Sequence, residues 1–178
     1  MLGTGAFSRV ESNRNVTVQV AEDAHAYLGL KGHPDSPNSS YTNVTDTGHL
    51  EVDMSPSNPT QDADGNDLGE GVNSNSQSWF ADVFQICNQG KEDAYVWIEK
   101  QQTEGAGAIS NVTFYDTDQA DVGEDPADEN ASIMGEMRAI EVPVGECLDV
   151  GIYVDTRGIT TQFNTTLLEE VVVVADVG

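Results

Sequence analysis

Positive charge is scarce in this sequence: seven Lys plus Arg stand against 31 Asp plus Glu in 178 residues, a formal charge of -24. So few cations cannot replace the counterions of phosphates, which excludes a conventional binder of DNA, RNA or anionic lipid. Long apolar runs are missing as well. No 18 consecutive apolar residues occur, so no membrane-spanning segment is expected. Met1 to Phe7 shows neither a charged leader nor an apolar one, as if a signal sequence had already been removed. Cysteine is limited to Cys87 and Cys147. In an exported protein such a pair suggests a disulfide, whereas two free thiols remain the alternative.

Enzyme signatures are absent too. There is no Gly-X-Ser-X-Gly elbow, Walker loop, Gly-X-Gly-X-X-Gly or His-Glu-X-X-His. His25, His33 and His49 stand apart, without the spacing that would put two on one helical face, so no zinc site is expected. With 31 acids some carboxylates must lie close together, but nothing singles out a catalytic pair. The chain reads as a non-enzyme.

With 38% hydrophobic residues the chain can still build one core. Self-repulsion at this charge opposes a compact fold in dilute buffer. Molar salt shortens the Debye length to about 3 Å and removes most of that repulsion. A halophilic source is the physical expectation.

Apolar residues recur with period 2. Val16, Val18 and Val20 alternate with polar residues, as do Leu50 and Val52, and Leu148, Val150, Ile152 and Val154. Tyr95 to Ile98, Val112 to Tyr115 and Ile140 to Val144 add β-branched and aromatic runs. Clusters of Gly, Pro, Asn and Asp separate them at 32–47, 55–78, 104–107 and 117–130. Short helices are conceivable only over Glu22 to Leu30 or Ala131 to Met137. About eight to ten short strands without helical crossovers predict an all-β antiparallel sandwich or jelly roll. Strand phase sets Cys87 opposite Phe84 and Ile86, and Cys147 opposite Leu148 and Val150. Both sulfurs are thus expected off the main core face, linking two strands or two subunits. The run Val171 to Val174 has two readings: a central strand, or a strand lining a groove that another chain fills.

Six Asn-X-Ser/Thr sequons occur, at Asn15, Asn38, Asn43, Asn111, Asn130 and Asn164. With Ser and Thr at about 15% of the chain, chance gives about two among twelve asparagines. The excess points to N-linked glycans on an extracellular or cell-surface protein, although Asn, Ser and Thr also share ordinary surface loops. Asp62, Asp64, Asn66, Asp67 and Glu70 place oxygen donors on a Gly-rich turn, as calcium requires. The spacing departs from the EF-hand, with Gly65 at the fourth position and Asn73 where the bidentate Glu belongs. The same residues also read as a solvated acidic loop, as does the cluster Asp116, Asp118, Asp121, Glu124, Asp125, Asp128 and Glu129.

The opening Gly3-Thr4-Gly5-Ala6-Phe7-Ser8, followed by Val10-Glu11, resembles the mature start of the TasA/camelysin-like family, which holds biofilm-matrix fibre proteins and archaeal bundling-pilus subunits. Val83 to Gly90 resembles that family's strand ending in Asn-X-Gly, and Val142 to Glu146 its Pro-X-Gly-Glu turn. The resemblance to acidic haloarchaeal surface proteins of this type is strongest. It implies a jelly roll whose subunits form a head-to-tail homopolymer by donor-strand exchange. The donor would be Leu2, Gly3, Thr4, Gly5, Ala6, Phe7, Ser8, Arg9 and Val10, within an extension of residues 1–12 ahead of one sandwich domain, 13–178. This is β-strand addition, heterologous and non-closing. The alternative use of the segment is as the first strand of its own subunit. The expected function is a structural subunit of an extracellular filament, with no required cofactor. The alternative is a monomeric binding module for glycan or protein, using Tyr41, Trp79, Tyr95 and Trp97, although Trp97 reads better as a core residue. The same family includes chains described as peptidases, but no metal motif here supports that activity.

Overall fold

The computed structural model describes residues 19–20, 27–46, 50–54, 58, 60–61, 64–65, 72–73, 75–100, 111–120, 126, 131–158, 167–168 and 171–177. The donor segment, and with it the boundary between 1–12 and 13–178, lies outside them.

Among the described residues ten strands run in chain order: β1 (Gln19–Val20), β2 (Leu28–Gly32), β3 (Thr42–Val44), β4 (Leu50–Val52), β5 (Gln77–Asn88), β6 (Ala94–Lys100), β7 (Val112–Asp116), β8 (Ile140–Val142), β9 (Cys147–Asp155) and β10 (Val171–Val177). They form a four-stranded sheet β2-β5-β9-β7, a three-stranded sheet β10-β6-β8 and a small sheet β1-β4-β3. Every ladder is antiparallel. Among the described residues no helix is long and apolar enough to cross a membrane. The protein is an all-β sandwich.

Alternation explains the core. Leu30, Ile86 and Leu148 stand in one cross-strand row, and Phe84, Val150 and Asp116 in another. From the opposite sheet come Ala94, Val96, Ile98, Val142 and Val171, all in the same buried cluster. Each buried Val, Ile or Phe side chain contributes about 1.5–3 kcal/mol by leaving water. The segment 131–135 joins the sheets: Asp116 and Ile133 N–H donate to Ala131 and Phe114 carbonyls, while Ile98 and Gly135 N–H donate to Ile133 and Ile98 carbonyls.

Three sequence expectations need correction. Ala131 to Met137 is not a helix; only Glu136–Arg138 makes one 3-10 turn, because 131–134 pairs with strands on both sides. Glu22 to Leu30 is not one either at its described end, where Leu28–Gly32 is strand β2. The stretch 32–47 is more than loop: Pro37–Tyr41 forms a 3-10 turn and Thr42–Val44 pairs with β4.

The β5–β9 ladder is the spine. At one end Cys87 and Cys147 are direct register partners and are disulfide-bonded. Beside them Asn88 is 1% exposed. Its Nδ2 donates to the Glu92 and Val142 carbonyls, each at 2.9 Å, and its Oδ1 accepts from Gly90 N–H. Its backbone N–H donates to Glu146 O, and its carbonyl accepts from Gly145 N–H. Gly145 takes φ +81, which closes the Pro143–Glu146 turn without steric cost. The Asn-X-Gly and Pro-X-Gly-Glu segments are therefore two halves of one interlocked end of the sandwich. Further along, Phe80 faces Ile152 but Phe84 faces Val150. Residues 81–83 thus oppose Gly151 alone, a bulge with two extra residues. Asp82 sits in it at φ +52. A Cβ on Gly151 would run into the Tyr115 ring packed across it.

Asn88→Ala should lower stability by about 3 kcal/mol, because two buried carbonyls and the Gly90 N–H lose their partners. Denaturant titration in molar salt measures it; a change under 1 kcal/mol would mean water replaces the side chain freely. Opening the disulfide, which closes a separation of 60 residues, should cost about 2–4 kcal/mol. Paired unfolding curves with and without reductant give that number, and coincident midpoints would show the link to be energetically idle.

Candidate functional site

Among the described residues the four-valine run lies at the edge of its sheet. All of β10 pairs with β6, from Val171↔Lys100 to Val177↔Ala94, and among the described residues nothing pairs with its other side. Within the described residues β6 is the central strand of this sheet, with β10 on one side and β8 on the other. Val171, Val173, Ala175 and Val177 share the phase of Ile98, Val96 and Ala94 and so face the core. Val171 is buried, but Val173, Ala175 and Val177 are only partly covered. An apolar strand whose outer main-chain groups meet no described strand is a candidate template for β-strand addition.

Lys100 marks the end of this edge. It continues the inward phase of Val96 and Ile98, and burial pushes its ammonium down to about 8. On the four-stranded sheet, the face away from the core carries a second small cluster of Tyr115, Tyr153 and Ala131, with Trp79 and Ala120 against it. Trp79 and Tyr153 rings pack 5.2 Å apart. Tyr115 is pushed up to about 12, first by burial and then by the Asp82 charge.

The aromatics proposed for a binding surface do not converge. Tyr41 packs edge-on against Phe80, Trp79 against Tyr153, and Trp97 is 2% exposed with its Nε1 donating to Glu99. Tyr95 alone of the four is exposed. Of the sequons, Asn15, Asn130 and Asn164 lie outside the described residues. Asn38 Nδ2 donates to Ala81 O at 2.7 Å and Asn111 Nδ2 to Asp155 O at 2.6 Å, which engages the nitrogen a glycan would need. Asn43 is exposed on β3, and its Oδ1 accepts from Val44 N–H.

For the calcium loop, Asp64 is exposed and Gly65 takes φ +82, while Asp62, Asn66, Asp67 and Glu70 lie outside the described residues. In the second acidic stretch Asp116 is buried and occupied with its own turn, accepting from Asp118 N–H and Gln119 Nε2. A different group is brought together instead: His33 after β2, Asp82 in the bulge and Asp149 on β9, with candidate ligand atoms all within 4.8 Å of one another. The linear sequence carries no signal for it. These residues lie 49 and 67 positions apart (82 - 33 and 149 - 82), and only the strand register and the bulge make them neighbours.

Residues 10–170 match the model of a family described as a protein of unknown function (DUF1102), and with most of its length matched the chain belongs to that family. No curated protein matches the sequence.

Because the Lys100 folded value is below its ordinary one, the native state holds fewer protons than the unfolded chain between about pH 8 and 10.5. Its contribution to stability should therefore rise with pH across that window and be lost as pH falls through 8. Lys100→Met should flatten the pH 8–10 limb of a stability profile; an unaltered limb would place its ammonium in water.

Proposed function

We propose that this member of the DUF1102 family is a structural subunit of an extracellular filament, assembled head to tail when residues 2–10 of one copy pair with the sandwich of the next. The observation that carries the reading is that, among the described residues, β10 pairs on one side only: a three-stranded sheet faces a four-stranded one, and β10 is apolar and partly covered. The occupant is argued from chemistry. Residues 1–10 contain no acid and one cation, Arg9, in a chain of charge -24, so this segment is drawn toward a neighbour's surface rather than repelled by it. In extended form Leu2, Thr4, Ala6, Ser8 and Val10 fall on one side, with small residues at most positions, and Phe7 on the other. The resemblance of Gly3 to Val10 to TasA/camelysin openings, and with it the finer jelly-roll arrangement, supports the same reading.

Several features support extracellular placement. The Cys87–Cys147 bond suits an oxidising compartment. The sequons suit export, with Asn43 the most accessible of the described ones. High negative charge would keep fibres dispersed at molar salt, and divalent cations, calcium at the 62–70 loop among them, would bridge acidic faces.

The test uses full-length protein in molar potassium chloride. Size exclusion and negative-stain microscopy should show polymers, and protein lacking residues 1–10 should elute as a discrete monomer. A synthetic peptide of residues 1–10 should then raise that monomer's melting temperature, where a scrambled peptide does not. Filaments that persist without the segment would overturn donor-strand assembly.

A further inference from the structure

Where β2 ends against the bulge of β5, three side chains from three separate segments converge on the face of the four-stranded sheet that points away from the core. His33 is fixed at the main chain, its N–H donating to Val83 O at 3.2 Å. Asp149 lies opposite Gln85 in the β5–β9 register, and Gln85 Nε2 donates to Asp149 Oδ1 at 2.6 Å. Thr117 ties the remaining pieces: its Oγ1 and N–H both donate to Asp149 O at 3.1 Å, and Asp82 N–H points at Thr117 Oγ1 at 3.4 Å. The three candidate ligands are therefore held by sheet ladders and a bulge, not by a free loop.

We infer that His33, Asp82 and Asp149 form a three-ligand site for a divalent transition cation of the zinc type. Distance is the first argument. His33 Nε2 and Asp149 Oδ1 are 3.5 Å apart, with the side chains 14% and 27% exposed. That is long for an N–H···O bond, which prefers about 2.7–3.2 Å. It matches the roughly 3.3–3.5 Å between two ligands that each sit about 2.0–2.2 Å from one tetrahedral ion. Asp82 completes the set within 4.8 Å and needs to close by at most about 1.5 Å to reach the same ion.

Charge is the second argument. Asp82 and Asp149 approach each other on a chain of charge -24, and among the described residues no Lys or Arg makes an ion pair with either. Lys31 stands in the same row but beyond Gln85, one strand farther away. A bound dication would offset that repulsion directly.

Donor type is the third argument. One imidazole nitrogen with two carboxylates suits zinc or cobalt, whereas calcium takes six to eight oxygens. Gln85 holds Asp149 as outer partners of metal ligands do. Coordination through Nε2 requires the ring proton on Nδ1. The 3.3 Å contact from Asp35 N–H to Nδ1 is then given up. Three protein ligands leave a fourth position for water or for a donor from another molecule.

The test is a titration of full-length, chelator-stripped protein with its disulfide intact, so that no thiol competes, in molar potassium chloride without reductant. Cobalt absorption and zinc calorimetry should each report one equivalent. His33→Gln and Asp149→Asn should each weaken binding at least tenfold, and Gln85→Leu by about 10–100-fold. Asp82→Gly controls for folding, because glycine adopts the φ +52 backbone without strain. That variant should melt no lower than the parent without metal, yet lose the cobalt spectrum. The proposal fails if the parent protein binds neither ion. It also fails if His33→Gln leaves one-equivalent binding intact, or if calcium binds there as tightly as zinc.

Discussion

The β5–β9 ladder is the constraint on which the rest of the molecule hangs. It is the central pair of the larger sheet, it supplies Phe84, Ile86, Leu148, Val150 and Ile152 to the core, and it is covalently closed at Cys87–Cys147. Asn88 extends the closure sideways. By satisfying Glu92, Val142 and Gly90 at once, it binds the β5–β6 turn to β8 and so couples the two sheets at one end. A buried asparagine holds such a junction because leaving any of those groups unpaired is more costly than the bond itself is favourable.

The same ladder also makes room for chemistry. Between the disulfide end and the Trp79–Tyr153 contact it stops being regular, and three residues stand against Gly151. An unbulged β5 would continue its alternation past Phe84 and keep Asp82 in phase with the core side chains. The two extra residues turn it over beside Asp149, and the absence of a side chain at Gly151 lets Tyr115 lie across the strand. The His33 group and the aromatic cluster are thus two consequences of one irregularity.

Placed at the far side of the smaller sheet, β10 carries the structure's other unfinished business. Its inward side contributes to the core while its outer main-chain groups meet no described strand. Soluble sandwiches guard such edges with charge, proline or short strands. Here seven residues run with a single acid, Asp176, an arrangement that suits a partner strand better than open water.

How much of this was written in the residues themselves is clear from particular stretches. Period-2 alternation at Leu50–Val52, Val112–Tyr115 and Leu148–Val154 names those strands directly, because a pleated chain buries every second side chain whatever its partners are. The same alternation puts both cysteines off the core face. It misleads at Ala131 to Met137, where apolar spacing compatible with a helical turn is overridden by hydrogen bonds to β7 and β6. It is silent about β10, since a valine run reads alike at an edge and in a centre. Composition and alternation are local properties, and they determined the all-β class, the acidic surface and most strand positions. Which strands adjoin, and that His33, Asp82 and Asp149 meet at all, depend on register between segments tens of residues apart, and only tertiary pairing fixes that.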